Sequence, residues 1–247
     1  MDAEDPQRGR GRNVITRATC PSTQDVVREE GLAGAPAGTV CVTDHQTAGR
    51  GRRGRTWSDP PGTAVMFSYL ARPTLAPAAL GPLPLVVGVA LADALPLEVG
   101  LRWPNDLVLG AGKVGGILVE LVTPPAGPPF AVIGVGINAN LTATQLPPTD
   151  RLPATSLLVE GGAPVDRVAL LERLVVALDD ALAGFAADGF APFRARFDRR
   201  DRLRGCTLEL RLGDRVVSGV AGGVDDEGRL LIGDTAYAAG EVERVID

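Results

Sequence analysis

Leu101–Glu120 reads LRWPNDLVLGAGKVGGILVE, and Phe130–Ile137 follows as FAVIGVGI. Apolar runs at Leu101–Trp103, Asp106–Leu109, Val114–Val122 and Phe130–Ile137 are separated by Pro, Asn and Gly, the residues that punctuate strands. Their hairpin-like spacing predicts a mostly antiparallel or mixed sheet rather than a series of βαβ units. Helices accompany it. Leu83–Leu95 reads as helical, with Pro82 and Pro84 at its start, where proline is tolerated. Asp166–Ala187 is the clearest helix: Val168, Leu171, Leu174, Val175, Leu178, Leu182 and Phe185 recur at three and four as one core-facing stripe. Phe190–Phe197 continues as a second short helix, and the whole is an α+β fold.

Upstream, Thr39–Thr43 (TVCVT) is a short strand feeding Thr43–Trp57, TDHQTAGRGRRGRTW, and Thr63–Leu70 (TAVMFSYL) is a strand leaving it. Within seven residues this loop sets Arg50, Arg52, Arg53 and Arg55 among Gly49, Gly51 and Gly54. Guanidinium groups bind phosphate bidentately and stay charged at any working pH. The glycines let backbone N–H groups approach a ligand. Four mutually repelling arginines predict a loop that is poorly ordered when empty and closes over a polyanion. A solvated charge run or a Gly/Arg-rich RNA-binding segment is the alternative.

Lys113 stands beside Gly115 and Gly116, which permit close approach of a ligand or backbone. Its ammonium is a point charge able to contact two anionic groups together; a surface lysine in a glycine turn is the plain reading. Trp57, just past the arginines, can cover a base or pack into the core. Asn105 and Asp106 of WPND are candidate polar ligands or a simple Asx turn after proline. Asn138 ends the run GVGIN.

Ser22, with Asp25 three residues on, is a capping-box variant that starts a helix, and Gly31 offers its stop. Met1–Arg12 (MDAEDPQRGRGR) is polar and aperiodic, and is expected to be a disordered tail. A charged run, Arg199–Arg204, is a candidate hinge before Cys206–Val245. That stretch shows short β-type runs with turns at Gly213–Asp214, Asp225–Gly228 and Gly233–Asp234. The expected division is 1–12, 13–200 and 201–247.

At 247 residues and 45% hydrophobic, the chain can bury one large core plus a small one. A net charge of −5 argues against a general nucleic-acid binder and makes the arginine cluster a local cationic site. Cys20, Cys41 and Cys206 have neither metal-ligand nor disulfide spacing and read as small apolar fillers. With His45 as the single histidine, Ser-His-Asp triads and multi-histidine metal sites have no material. No signal peptide is recognised and no apolar run is expected to reach the ~18 residues of a membrane helix. No membrane association is expected, and a reducing cytoplasm is the expected compartment.

AGRGRRGR, WPND and KVGGILVE in this order, with Ser22–Thr23–Gln24 and Gly134–Asn138, resemble the biotin protein ligases, also called biotin–[biotin carboxyl-carrier protein] ligases. The likeness runs over roughly Val14 to Asp247. It implies the catalytic fold shared with class II aminoacyl-tRNA synthetases and lipoate ligases, followed by a small Src-homology-type β-barrel. It implies ATP and biotin as substrates, Mg²⁺ as cofactor, and a biotin carboxyl-carrier domain as partner; a homodimer is compatible with the family. Some members carry an N-terminal winged helix that binds DNA. Too little chain precedes Ser22 for one, so no DNA binding is expected.

By the same resemblance, Lys113, Arg52 and Asp106 are the catalytic group, with Asp106 a candidate Mg²⁺ ligand. Biotin would be held by Ser22, Thr23, Gln24, Gln46, Arg50, Gly51, Arg52, Lys113 and Gly115. The nucleotide would be held by Arg52, Arg53, Arg55, Trp57, Asn105, Lys113 and Asn138. Gln24 departs from the family's usual Asn by one methylene. A lipoate ligase is the nearest rival; the arginine loop with Gln46 speaks against it, because lipoate has no ureido ring for neutral amides to bind.

Overall fold

In the computed structural model, which describes residues 12–149 and 152–246, the chain opens with β1 (Val14–Cys20), α1 (Thr23–Leu32), β2 (Val40–Gln46) and β3 (Val65–Ala71). Next come α2 (Leu83–Ala94), β4 (Gly100–Arg102), β5 (Asp106–Leu109), β6 (Gly112–Val122) and β7 (Phe130–Ile137). Three helices follow: α3 (Leu157–Gly161), α4 (Arg167–Asp188) and α5 (Ala191–Asp198). The chain closes with β8 (Thr207–Leu212), β9 (Arg215–Val224), β10 (Leu230–Ile232), β11 (Thr235–Tyr237) and β12 (Glu241–Val245). Met1–Gly11, the bulk of the expected tail, lie outside the described residues. Arg12 does not behave as tail: its guanidinium donates to Gly38 O at 3.0 Å and pairs with Asp179.

The main sheet has the order β1-β2-β3-β7-β6-β5-β4, with β1 parallel to β2 and every other pair antiparallel, so it is mixed. Strand β3 (VMFSYLA) is buried along its whole length because both its faces are covered. Phe67 and Tyr69 join the core shared with α2 and α4, whereas Leu70 packs with Val27 of α1 on the opposite face. Helix α2 is apolar all round and accordingly buried. Pro77–Ala94 is in fact an 18-residue stretch apolar enough for a bilayer by length and composition, contrary to expectation. Here 61% of it is buried inside the protein, as a separate 3-10 turn (Pro77–Leu80) followed by this core helix.

Three further expectations are corrected. Helix α4 faces the core with Leu170, Leu174, Val175, Leu178, Ala181 and Phe185. Val168 is 67% exposed, because it lies in the first turn, where Asp166 caps its N–H at the surface. Helix α1 does not stop at Gly31; it runs to Leu32, and Gly31 lets the Phe130 ring pack against it. Arg199–Arg204 is not a hinge. Leu101 N donates to Arg200 O at 2.8 Å and Arg202 N to Leu101 O at 2.9 Å, so the run pairs with β4. Arg200 also holds Asp93 (2.6 Å), and Leu203 is buried.

Beyond that run lies a second sheet, antiparallel throughout, in the order β11-β10-β9-β8-β12. Leu208, Leu210, Ala221, Leu230 and Val242 belong to the same apolar core as α2 and the main sheet. The two sheets are thus joined by buried surface as well as by chain.

Candidate functional site

A cleft of about 540 Å³ opens over the carboxyl end of β7 and the middle of β6, where Gly116, Gly134 and Gly136 make a floor without side chains. A Cβ at Gly134 would lie 2.9 Å from the Gln24 amide, and one at Gly136 would lie 2.7 Å from the Trp57 indole. The glycines therefore make room for neighbouring side chains to converge.

The β5–β6 pairing slips by one residue between Leu107 and Val108: Leu107 faces Gly115, but Val108 faces Lys113. This bulge re-aims the strand. Lys113 and Gly116 share the cleft side, with a Gly116 Cβ 3.2 Å from Lys113 Nζ, whereas a Gly115 Cβ would meet Ile137 and Leu107 in the core. Lys113 Nζ donates to Asp106 Oδ1 at 2.5 Å and stands 5.9 Å from the Trp57 ring centroid. Lys113 N donates to Pro153 O at 2.7 Å, and Asn138 Nδ2 donates to Thr155 O at 2.9 Å, which ties the lysine's backbone to the segment before α3.

At one end the cleft is neutral and hydrogen-bonded. Ser22 is the buried N-cap of α1, its Oγ accepting from Gln24 N at 3.3 Å. Gln46 Oε1 accepts from Thr23 N at 2.9 Å, and Thr23 Oγ1 lies 2.8 Å from Ser68 Oγ. Among the described residues, Gln24 Oε1 and Trp57 Nε1 are buried with no hydrogen-bond partner. Buried polar atoms of this kind call for a polar ligand.

Beside this pocket lies the arginine loop, whose Gly49 adjoins Gln46, and the structure corrects the expectation that repulsion leaves it unheld. Each arginine has a partner. Arg50 Nη2 is 2.8 Å from Asp25 Oδ1. Arg52 Nη1 donates to Asn105 Oδ1 at 3.2 Å. Arg53 and Arg55 both reach Glu241 of β12, at 3.4 and 2.8 Å. Burial, then the neighbouring Arg53 charge, press the Arg52 guanidinium below its ordinary pKa.

Ser22, Thr23, Gln24, Gln46, Arg50, Gly51, Arg52, Arg55, Trp57, Asn105, Asp106, Lys113 and Asn138 all line this one cleft. Gly115 and Arg53 do not: the bulge turns Gly115 inward, and Glu241 draws Arg53 to the rim. Sequence reasoning missed Glu241 and Val242, which the second sheet brings to the cleft wall, and Leu118 and Gly134 on its floor. Gly134 was legible from GVGIN; Glu241 carries no local signal. No cluster of three His, Cys, Asp or Glu suited to a metal exists among the described residues. With the Asp106 carboxylate committed to Lys113 and that of Glu241 to Arg53 and Arg55, the donor set does not fit a protein-built Mg²⁺ site at Asp106.

Residues 16–138 match the biotin/lipoate A/B protein ligase family. The biotin–[acetyl-CoA-carboxylase] ligase of Paracoccus denitrificans is 35% identical over 229 residues, covering 89% of this chain and 92% of that protein. The chain belongs to this ligase family. The bifunctional ligase/repressor BirA of Escherichia coli is 36% identical over 200 residues, but the match spans only 62% of that protein's length. A biotin protein ligase of Aquifex aeolicus in complex with biotin and ATP superposes with a TM-score of 0.79 at 29% identity, covering 93% of this chain and 97% of that one. In this family member the fold is therefore a mixed sheet with helices and a second, antiparallel sheet. The first sheet and the loop before β3 supply the cleft's floor and its cationic wall.

Proposed function

We propose that the protein is an ATP-dependent ligase that activates biotin as biotinyl-5′-adenylate and transfers it to a lysine of a biotin carboxyl-carrier domain. One observation carries this reading. A neutral pocket (Ser22, Thr23, Gln24, Gln46) and a cationic wall (Arg50, Arg52, Arg55) meet across a lysine in a single cleft.

The neutral end matches a ureido ring, which offers one carbonyl and two N–H groups; the unpartnered Gln24 Oε1 is an acceptor for one of them. A biotin carboxylate extending from there reaches Lys113. Its oxygen attacks the α-phosphorus of ATP, forming the acyl–phosphate bond as the α–β bridge to pyrophosphate breaks. Negative charge grows on phosphate oxygens, where Lys113 and Arg52 act as preorganised cations. The carrier lysine's amine then attacks the acyl carbon, AMP leaves, and the amine proton passes to solvent or Asp106. Mg²⁺ would enter with the ATP phosphates, the usual mode for this ion. The free cysteines fit a reducing cytoplasm. We read 13–200 as the catalytic unit of synthetase-like type and 201–247 as a small barrel-type unit.

Purified protein incubated with Mg·ATP, biotin and a carrier domain should raise the carrier's mass by one biotinyl group. Lipoate in place of biotin should be turned over at least ~10-fold more slowly, since it leaves the buried amides unpaired. Equal use of the two acids, or labelling of lipoyl domains alone, would overturn the biotin assignment.

A further inference from the structure

We propose that Glu241 is a positioning residue: it clamps the arginine loop over the cleft through Arg53 and Arg55, leaving Arg52 as the guanidinium aimed at the reacting groups. The proposal rests on the ligase reading for its kinetic consequence, but its geometry stands on the ligand-free protein.

The loop is folded on itself before any partner is considered. Gly51 N donates to Arg55 O at 2.7 Å and Trp57 N to Gly49 O at 2.9 Å, with a bridge between Arg50 and Thr56. At its tip Arg53 has φ 57°, the one left-handed residue other than glycine among the described residues. An L side chain keeps that conformation when its surroundings hold it there. What lies beside the tip is the Glu241 carboxylate, only 13% exposed, taking Arg55 at 2.8 Å and Arg53 at 3.4 Å on its two oxygens.

Glu241 can act as an anchor because the second sheet is itself pinned to the other wall of the cleft. Arg102 Nη2 donates to Val242 O at 3.1 Å, and Trp103 Nε1 donates to Gly228 O at 3.0 Å. Those residues enter the turn that carries Asn105 and Asp106. The clamp therefore fixes the loop relative to Asn105, the partner of Arg52, and to Asp106, the partner of Lys113. Two of the three arginines expected to bind the nucleotide, Arg53 and Arg55, hold the third, Arg52, in place.

Glu241→Gln keeps the shape and removes the charge. In the ligand-free variant, amide exchange across residues 49–58 should speed up by about 5-fold or more, the size expected for losing a partly buried ion pair. Exchange in β3 and β7 and the melting temperature should stay near the parent's. With ligands, KM for ATP and the rate of adenylate release should each rise about 5-fold, while KM for biotin stays within about 2-fold. Combining Glu241→Gln with Arg55→Gln should cost no more than the worse single change, because both break one contact. Unchanged loop exchange in Glu241→Gln, or additive losses in the double variant, would overturn the clamp. If the parent releases no pyrophosphate from ATP and biotin, the ligase reading fails, and the exchange experiment still decides the clamp.

Discussion

Lys113 is the only lysine in the chain, and it is half-buried between Asp106 and the Trp57 ring. A cation stabilising charge that develops on two ligands should be costly to remove. Lys113→Ala should slow pyrophosphate release at saturating biotin and ATP by about 10²–10³. Lys113→Arg should recover little, since a planar fork cannot take the place of a point charge. Release at the parental rate from folded Lys113→Ala would show that the chemistry lies elsewhere. The uniqueness of this lysine gives a second test: an amine-reactive acylating reagent should modify Lys113 and the amino terminus alone, and biotin with ATP should protect the former. The arginines are expected to divide by partner. Arg52→Ala should weaken adenylate retention by about 10–150-fold, the loss of one charge-assisted contact, with a smaller effect on biotin. Arg53→Ala should act through loop exchange. Calorimetry giving Arg52→Ala equal losses for biotin and adenylate would contradict that division. At this scale the sequence was most legible, because Lys113, Asp106 and the arginines lie close together in it. It misplaced Gly115, since a one-residue bulge flips a strand's faces without any mark in composition.

The loop between β2 and β3 carries a residue, Asp59, whose environment matters for stability. Asp59 is 5% exposed, neither carboxylate oxygen has a hydrogen-bond partner among the described residues, and burial pushes its pKa up to about 6. His45 and Arg167 pull the other way and do not offset the desolvation. Because the folded state holds this proton more tightly than the unfolded chain, Asp59 favours folding at low pH. That advantage fades as the pH rises from about 4 to about 6. Asp59→Asn should flatten this decline and leave the protein more stable than the parent at pH 7, by up to about 3 kcal/mol. Urea unfolding at pH 4 and pH 7 measures it; a parent–variant difference that does not grow with pH would refute the assignment. Elements were legible where pattern and burial agree: β5 and β7 fall on the expected residues, and Ser22 caps α1 as its position before Asp25 suggests. They were less legible where pairing decides. Strand β1 (VITRATC) is an edge strand with mostly exposed side chains, so it lacks the alternation that marks a half-buried strand. The arginine loop looked unheld because its counter-charges, Asp25 and Glu241, come from elements on either side of it.

Over the whole molecule, the second sheet is a wall of the cleft rather than an appendage. The sequence showed its turns, at Gly213–Asp214, Asp225–Gly228 and Gly233–Asp234, but not that it shares a core with α2 or delivers Glu241. Those are long-range facts about packing, invisible to local periodicity. A continuous apolar core across both sheets predicts that they unfold together. The two tryptophans can report this separately, since Trp57 lies in the cleft and Trp103 is buried where its indole donates to Gly228 O. In Trp57→Phe, the fluorescence of Trp103 should change at the same denaturant concentration as the far-ultraviolet dichroism of the whole chain. Trp103→Phe keeps an aromatic ring but loses part of the buried indole and strands the Gly228 carbonyl, so it should destabilise by at least about 1–3 kcal/mol. That loss should move a single transition to lower denaturant without splitting it. A second transition, with the C-terminal sheet melting first, would mean that the shared core is too weak to couple the two. The cleft's outer wall would then be a part that opens independently of its floor.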